Sequence, residues 1–252
     1  MGETLTGTWG SVRRLLERAA DEWGLSYRQI AVLTAIPFVL PLVTIIAAIA
    51  HRPTFDVLTG EDQIGEWLQV AAWIGALLLA FVVLAHLIRS KSRLLAVLYG
   101  VLVFAMIFIV GEEISWGQRI IGFGTPESLA EVNRQGEVNF HNVNGVQTVF
   151  SWGMFMVGAY GTLAPIWALR KWGEYEAWPQ FTRALVPHWI LIPYFLLMFV
   201  WRFYRNLFEP IESLYVGISE FGEITELILA LAFLAFIWHQ RTALHQRPLQ
   251  TE

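Results

Sequence analysis

The run LLAVLYGVLVFAMIFIVGEEISWGQR, residues 94–119, keeps seventeen consecutive residues free of charge from Leu94 to Val110, then ends in Gly111 and two adjacent carboxylates, Glu112 and Glu113. A run of that length and apolarity reads as a membrane-crossing helix, since a span needs about 20 such residues. Ionisable side chains at the end of a span are costly to desolvate, so they sit inside the protein, face a wet cavity or pair with other charges. The stretch therefore reads as a membrane helix with a polar site at its edge.

Outward from it, five further apolar runs occupy 29–50, 65–88, 146–169, 186–201 and 224–239. The whole chain is 56% hydrophobic and only 15% charged, with a mean hydropathy of +0.50. This composition belongs to a polytopic membrane protein rather than to a soluble domain. The expected fold is all-α with six transmembrane helices. An amphipathic cytoplasmic segment is read at 1–28, a membrane domain at 29–240 that includes a structured outer loop at 112–145, and a cytoplasmic tail at 241–252. The third and fifth runs are short, and their helices are expected to continue into charged extensions.

Residues 1–28 carry Arg13, Arg14, Glu17, Arg18, Asp21 and Glu22 instead of a short apolar region, so no secretory signal is expected ahead of the first span. Trp9, Val12, Leu15, Leu16, Ala19 and Trp23 share a helical face, which fits either a helix on the cytoplasmic headgroups or one packed on its own protein. Lys and Arg number twelve in the segments assigned to the terminal side and five on the other: Arg52, Arg119, Arg134, Arg202 and Arg205. Positive charge is retained on the cytoplasmic side, which places both termini there. Fourteen of the twenty-one acids fall on the outer side. Nucleic acid is not an expected partner.

Four span ends converge on the outer layer. Helical spacing puts Glu112, Ser115, Trp116 and Arg119 on one face of the third helix, and Arg202, Arg205, Asn206 and Glu209 on one face of the fifth, which Pro210 then stops. Glu220, Glu223 and Glu226 open the sixth helix, and Glu66 opens the second. One reading is an ion-pair network in which Arg119, Arg202 and Arg205 neutralise Glu112, Glu113, Glu223 and Glu226. The other starts from the excess of acids, because crowded carboxylates raise one another's pKa and prepare a proton or cation site.

The loop 120–145 is long enough to be functional. Thr125 and Pro126 read as the cap and first position of a short helix reaching about Asn133. Glu137, Asn139 and His141 alternate with Val138 and Phe140, so an extended segment would turn the three polar groups one way. Glu113, Glu137 and His141 are the candidate ligands for a divalent metal. Without metal, His141 beside a carboxylate is a candidate general base whose proton passes through Glu113.

His86, His188 and His239 fall at one depth near the cytoplasmic ends of three spans. Their spacing admits a shared metal or pigment, but arginines beside His86 and His239 favour interfacial residues reaching headgroups. Twelve tryptophans and seven tyrosines supply an aromatic belt, and Gly153, Gly158 and Gly161 would permit close helix contact in the fourth span. The chain has no cysteine, which excludes disulfides and thiolate chemistry. Walker, Rossmann, zincin and serine-hydrolase signatures are absent from the sequence.

The run Glu112-Glu113-Ile114-Ser115-Trp116-Gly117-Gln118-Arg119, with Thr125-Pro126-Glu127 and Gln135-Gly136-Glu137-Val138-Asn139-Phe140-His141-Asn142, resembles a family of uncharacterised bacterial multi-pass membrane proteins. The resemblance implies a bacterial cytoplasmic (inner) membrane and supplies no reaction.

From the residues, the leading expectation is a membrane enzyme with an outer-leaflet site for a lipid or lipid-linked substrate, acting by hydrolysis or group transfer. Glu112, Glu113 and His141 would do acid, base or ligand work. Arg119, Arg202 and Arg205 would anchor an anionic headgroup, and Gln118 and Asn139 would orient it. A proton- or cation-coupled transporter and an accessory subunit of a larger pigment or redox complex are the alternatives. Membrane lipids are the expected partners, alongside a homo-oligomer or a membrane complex.

Overall fold

The computed structural model describes residues 2–60, 62–133, 136–143, 145–208 and 215–246. Arg134, Gln135, Glu209 and Pro210, which the sequence reading placed on the outer side, lie outside the described residues. The helices in chain order are α1 (Gly2–Trp23), α2 (Tyr27–Ala50), α3 (Arg52–Thr59), α4 (Ile64–Arg89), α5 (Arg93–Glu113), α6 (Gln118–Ile121), α7 (Glu127–Ala130), α8 (Val146–Trp172), α9 (Gln180–Leu185), α10 (Ile192–Leu207) and α11 (Tyr215–Gln246). Six helical segments, carried by α2, α4, α5, α8, α10 and α11, are long and apolar enough to cross a membrane. No strand is formed among the described residues; the one bridge joins Asn133 to Val143.

Small residues set the closest packing. Ala72, Ala76 and Ala80 of α4 are buried against α11, whose Ala230, Ala232 and Ala235 are buried in the same core. Removing side-chain bulk lets helix axes approach where lipid supplies no hydrophobic drive. α8 docks on α10 by the same device, because a Cβ on Gly158 would lie 2.6 Å from the Phe199 backbone nitrogen and one on Gly161 would enter the Phe195 ring. Gly153 has open space around it. α11 is the most enclosed span, while α2, α5 and α8 turn Phe38, Ile49, Val97, Phe104, Val149 and Met156 outward. That exposed apolar exterior suits hydrocarbon rather than water.

The bundle has two polar ends. The carboxylate end gathers the start of α4, the end of α5, the start of α8, the end of α10 and the first turns of α11. The histidine end gathers the end of α1, the start of α5, α9 and the last turns of α11. α10 begins at Ile192 rather than near 186, since Pro187 precedes a short 3-10 turn at Trp189–Leu191 and Pro193 occupies the first turn of the helix. It continues through Arg202 and Arg205 as expected. The third helix does not continue to Arg119. It stops at Glu113 because Ser115 and Trp116 take left-handed backbone angles, with φ of 48° and 52°.

α1 packs on its own bundle. Ala19, Ala20 and Trp23 are buried in the same core as Tyr194 and Ile237, whereas Val12 and Leu15 remain exposed. α11 runs past position 241 to Gln246 as one helix.

Candidate functional site

The site is built on the reversal after α5. Two non-glycine residues in the left-handed region each cost about 1–2 kcal/mol, so the surroundings must hold them there. Trp116 supplies part of that hold by folding back on the helix it leaves. A Cβ on Gly111 would sit 3.0 Å from the Trp116 ring, so glycine is what lets the indole in. Trp116 Nε1 then donates to Glu112 Oε1 at 2.7 Å.

The other oxygen of Glu112 receives the returning loop. Glu112 Oε2 accepts the backbone N–H of Phe140 at 2.7 Å and of His141 at 2.8 Å, and lies 3.3 Å from His141 Nδ1. Glu112 itself is only 3% exposed. Four bonds on one buried carboxylate fix its position and favour its charged form. With Nδ1 held toward Glu112, the imidazole keeps Nε2 for other work, and the side chain remains 35% exposed. Burial opposes a charge on His141, but the Glu112 bond and the nearby charges of Glu113 and Glu226 outweigh it and raise its pKa above the ordinary imidazole value.

The loop is clamped from both sides. Gln118 Nε2 donates to Phe123 O and Thr125 Oγ1, its Oε1 accepts from Val138 N at 2.7 Å, and Thr125 in turn donates to Gly136 O at 2.5 Å. Asn139 Nδ2 donates to Ser115 Oγ and to Glu137 Oε2, its Oδ1 accepts from Asn133, and Ser115 donates to Glu137 at 2.6 Å. Gln118 and Asn139, expected to orient a substrate, are therefore spent on folding the loop. Pro126, not Thr125, stands at the N-cap of α7, because the Thr125 hydroxyl is already committed to the loop. The segment 137–141, expected to be extended, is a run of bends instead; Glu137 and Asn139 do meet, while His141 turns to Glu112.

The arginines are engaged as the ion-pair reading supposed, Arg202 with the expected Glu226 and Arg119 with other acids. Arg119 forms a two-point pair with Glu66, reaches Asp62 Oδ1 at 2.7 Å and Glu137 at 3.8 Å, and donates to the Glu113 carbonyl at 3.2 Å. Burial works against its charge and the Glu66 carboxylate more than restores it, raising its pKa. Arg202 pairs with Glu226 and touches Ser151 Oγ and Met154 Sδ. Arg205 lies one turn further along α10. Three arginines waiting for an anionic headgroup is thus corrected for Arg119 and Arg202, whose charges are already met.

Glu113 faces the interior, hydrogen-bonded to Gln69 and close to Glu226, His141 and Glu66. Glu223 stands in the same group, beside Glu226, Glu113 and Glu66, with Arg202 as its cation. Gln69 is 1% exposed, and its Oε1 has no hydrogen-bond partner. The sequence reading missed it, although a lone amide one turn inside the span that Glu66 opens was a usable signal. The metal set Glu113, Glu137 and His141 does not assemble, since Glu137 is bound by Ser115, Asn139 and Arg119 and His141 by Glu112. Among the described residues, no three His, Asp or Glu side chains are grouped to hold a metal.

At the histidine end the interfacial reading is overturned for two residues. His188 is 0% and His239 3% exposed, with ring centroids 5.3 Å apart. Trp23 stacks on His239 at 4.5 Å, Tyr175 lies 4.4 Å from His188, and His188 Nε2 meets Glu22 Oε2 at 2.7 Å. Docking of α1 takes these rings away from any headgroup. Burial, aided by Glu176, pushes Glu22 up to about 7. His86 is partly buried and makes no ring contact with the other two among the described residues.

Fold and site together define a multi-pass, all-α membrane protein with a carboxylate-held histidine in a loop folded against one end of its bundle. No protein-family profile, curated protein or solved structure matches this chain.

Proposed function

We propose that the protein is an enzyme of the bacterial cytoplasmic membrane, with both termini cytoplasmic and its site facing the outer leaflet. Its substrate is a lipid or lipid-linked molecule, cleaved by hydrolysis or group transfer. The observation that carries this reading is the Glu112–His141 pair. A buried, multiply bonded carboxylate that holds Nδ1 sets the imidazole's tautomer and orientation, leaving Nε2 as a base at a partly open surface. His141 would take a proton from water or an acceptor hydroxyl as that oxygen attacks the substrate's ester or phosphoester centre, and Glu113, partly buried beside it, would pass the proton to the leaving oxygen as its bond breaks. Glu112 is a positioning residue in this scheme rather than an acid or base.

The test is turnover in lipid nanodiscs. Wild-type protein is incubated with phosphatidylethanolamine, phosphatidylglycerol and a polyprenyl phosphate, and products are read by mass spectrometry. Conversion of one of them, lost in His141→Ala and reduced at least about a hundredfold as general-base loss predicts, supports the proposal. Equal turnover in the variant, or none in the wild type, overturns it.

Transport of a proton or cation is the second reading, favoured by one observation. Glu113 and Glu223 are half-buried among further acids, and the partnerless Gln69 Oε1 adds another oxygen. Between the two ends the buried polar groups are isolated ones such as Thr44 and Thr162, whose hydroxyls bond their own helix, and no continuous polar route runs among the described residues.

A further inference from the structure

α8 is the least enclosed of the six spans, and toward the histidine end its outward residues form a stripe. Tyr160, Ala164, Trp167 and Lys171 follow i, i+4, i+7, i+11 spacing with Leu163 and Arg170 beside them, so all six lie on one face of the helix. α9 stands against the apolar part of that face through Phe181 and Leu185, and the two helices bound an open groove of about 560 Å³. The α9 wall is fixed in place. The last carbonyls of a six-residue helix have no partner within it, and three in succession are met by side chains of three different spans. Gln240 of α11 donates to Arg183 O at 2.8 Å, the Tyr99 hydroxyl of α5 to Ala184 O at 2.8 Å, and the Tyr160 hydroxyl of α8 to Leu185 O at 3.3 Å. At the end of α8, Lys171 Nζ lies 4.8 Å from the Trp167 ring centroid and 4.6 Å from that of Trp172. Neither Lys171 nor Arg170 has a carboxylate partner among the described residues.

We propose that this groove binds an anionic phospholipid of the leaflet at the histidine end, with one acyl chain between α8 and α9 and the phosphate on Lys171 and Arg170. Length selects the occupant. From Tyr160, the deepest residue of the stripe, to Lys171 is eleven residues, a rise of about 17 Å, and one leaflet supplies about half of a hydrocarbon core about 30 Å thick. The stripe therefore runs from headgroup depth to the bilayer centre, which is the reach of one acyl chain. Charge selects the headgroup. The Lys171 ammonium carries three N–H donors and no acceptor, and the indole faces that position it leave its charge in place. A zwitterionic lipid would gain the groove without a net charge to match the rim, and a small soluble anion would gain the rim without the groove. Retention of basic residues at a span end accounts for the two cations but not for the apolar groove below them. The lipid is a resident rather than a substrate, and the inference is independent of the chemistry proposed at the carboxylate end.

The test is native mass spectrometry of the full chain in detergent, titrated with dioleoyl phosphatidylglycerol, dioleoyl phosphatidylcholine or glycerol 1-phosphate. Phosphatidylglycerol should be retained at a half-maximal concentration at least about tenfold below that of phosphatidylcholine, as a hydrogen bond to a charged group implies. Glycerol phosphate, the headgroup without chains, should not be retained. Replacing both cations, Arg170→Gln with Lys171→Gln, should remove the preference between the two lipids. Ala164→Leu narrows the groove and should weaken phosphatidylglycerol at least about tenfold. Because Ala164 also packs on the buried cluster around Trp178, Leu163→Gln is the companion variant. Leu163 is 54% exposed and belongs to neither buried cluster, so an amide there makes the groove polar without opening the core, and should weaken both lipids. No retention of phosphatidylglycerol, equal retention of the two lipids by the wild type, retention of glycerol phosphate as tight as that of phosphatidylglycerol, an unchanged preference in the double variant, or unchanged binding in both groove variants overturns the proposal.

Discussion

Glu112 holds a tryptophan, two backbone amides and an imidazole with two oxygens. An amide cannot do this, because its NH₂ would face N–H donors. Glu112→Gln should destabilise the protein by about 1–3 kcal/mol, visible as a lower unfolding midpoint in detergent. It should also loosen the loop at 136–143, read by hydrogen exchange of Phe140 and His141. The pH dependence of that loop has a definite sign. His141 has a raised folded pKa, so its protonation favours the folded loop. That contribution is complete below the unfolded value near 6.5 and fades as pH rises through the folded value. Exchange protection at Phe140 should therefore be greater at pH 6 than at pH 8.5, and His141→Ala should remove the difference. That Glu112 needs a partner and that His141 comes to lie beside a span-ending carboxylate were legible in the sequence, since carboxylates at the end of a span need partners. The Trp116 bond that completes the arrangement was not, because it depends on a backbone reversal at two residues that helical periodicity treats as continuing the helix.

Among the elements, α8 and α10 depend on two glycines. Gly158→Ala places a methyl 2.6 Å from a backbone nitrogen of α10, so the helices must separate, at a cost of about 1–3 kcal/mol. Gly100 has open space around it, and Gly100→Ala should leave stability unchanged or raise it by about 1 kcal/mol through helix propensity. Paired denaturation curves of the two variants check this. Span number and the small-residue contact were readable from composition and spacing. Helix ends were less so: Pro187 and Pro193 delay α10, and the positive φ values end α5 early, both local backbone effects that an apolar run does not report. The fate of α1 was open because its amphipathic face fits a membrane surface and a protein groove equally well. Only the tertiary seat provided by His188 and His239 decides between them.

For the whole molecule, the charge bias predicts orientation. Reporter fusions at Gly60, Gly136 and Glu174 should read outside, outside and inside, with twelve basic residues retained on the terminal side and five exported. Any other pattern would put the Glu112–His141 pair on the wrong face for the proposed reaction. The balance within the bundle points the same way: Arg119 and Arg202 are consumed by Glu66 and Glu226, and the remaining acids give the carboxylate end its negative character.

The seat of α1 has a further consequence, in the order of synthesis. The ribosome makes Glu22 and Trp23 before the six spans described, yet their partners His188 and His239 emerge after four and five of them. Through most of translation the first helix has nowhere to dock, so its carboxylate and indole stay in water or at the membrane surface. A nascent chain stalled before α11 should leave α1 open to protease, and one released after α11 should protect it. α11 thus acts as the latch that seats α1.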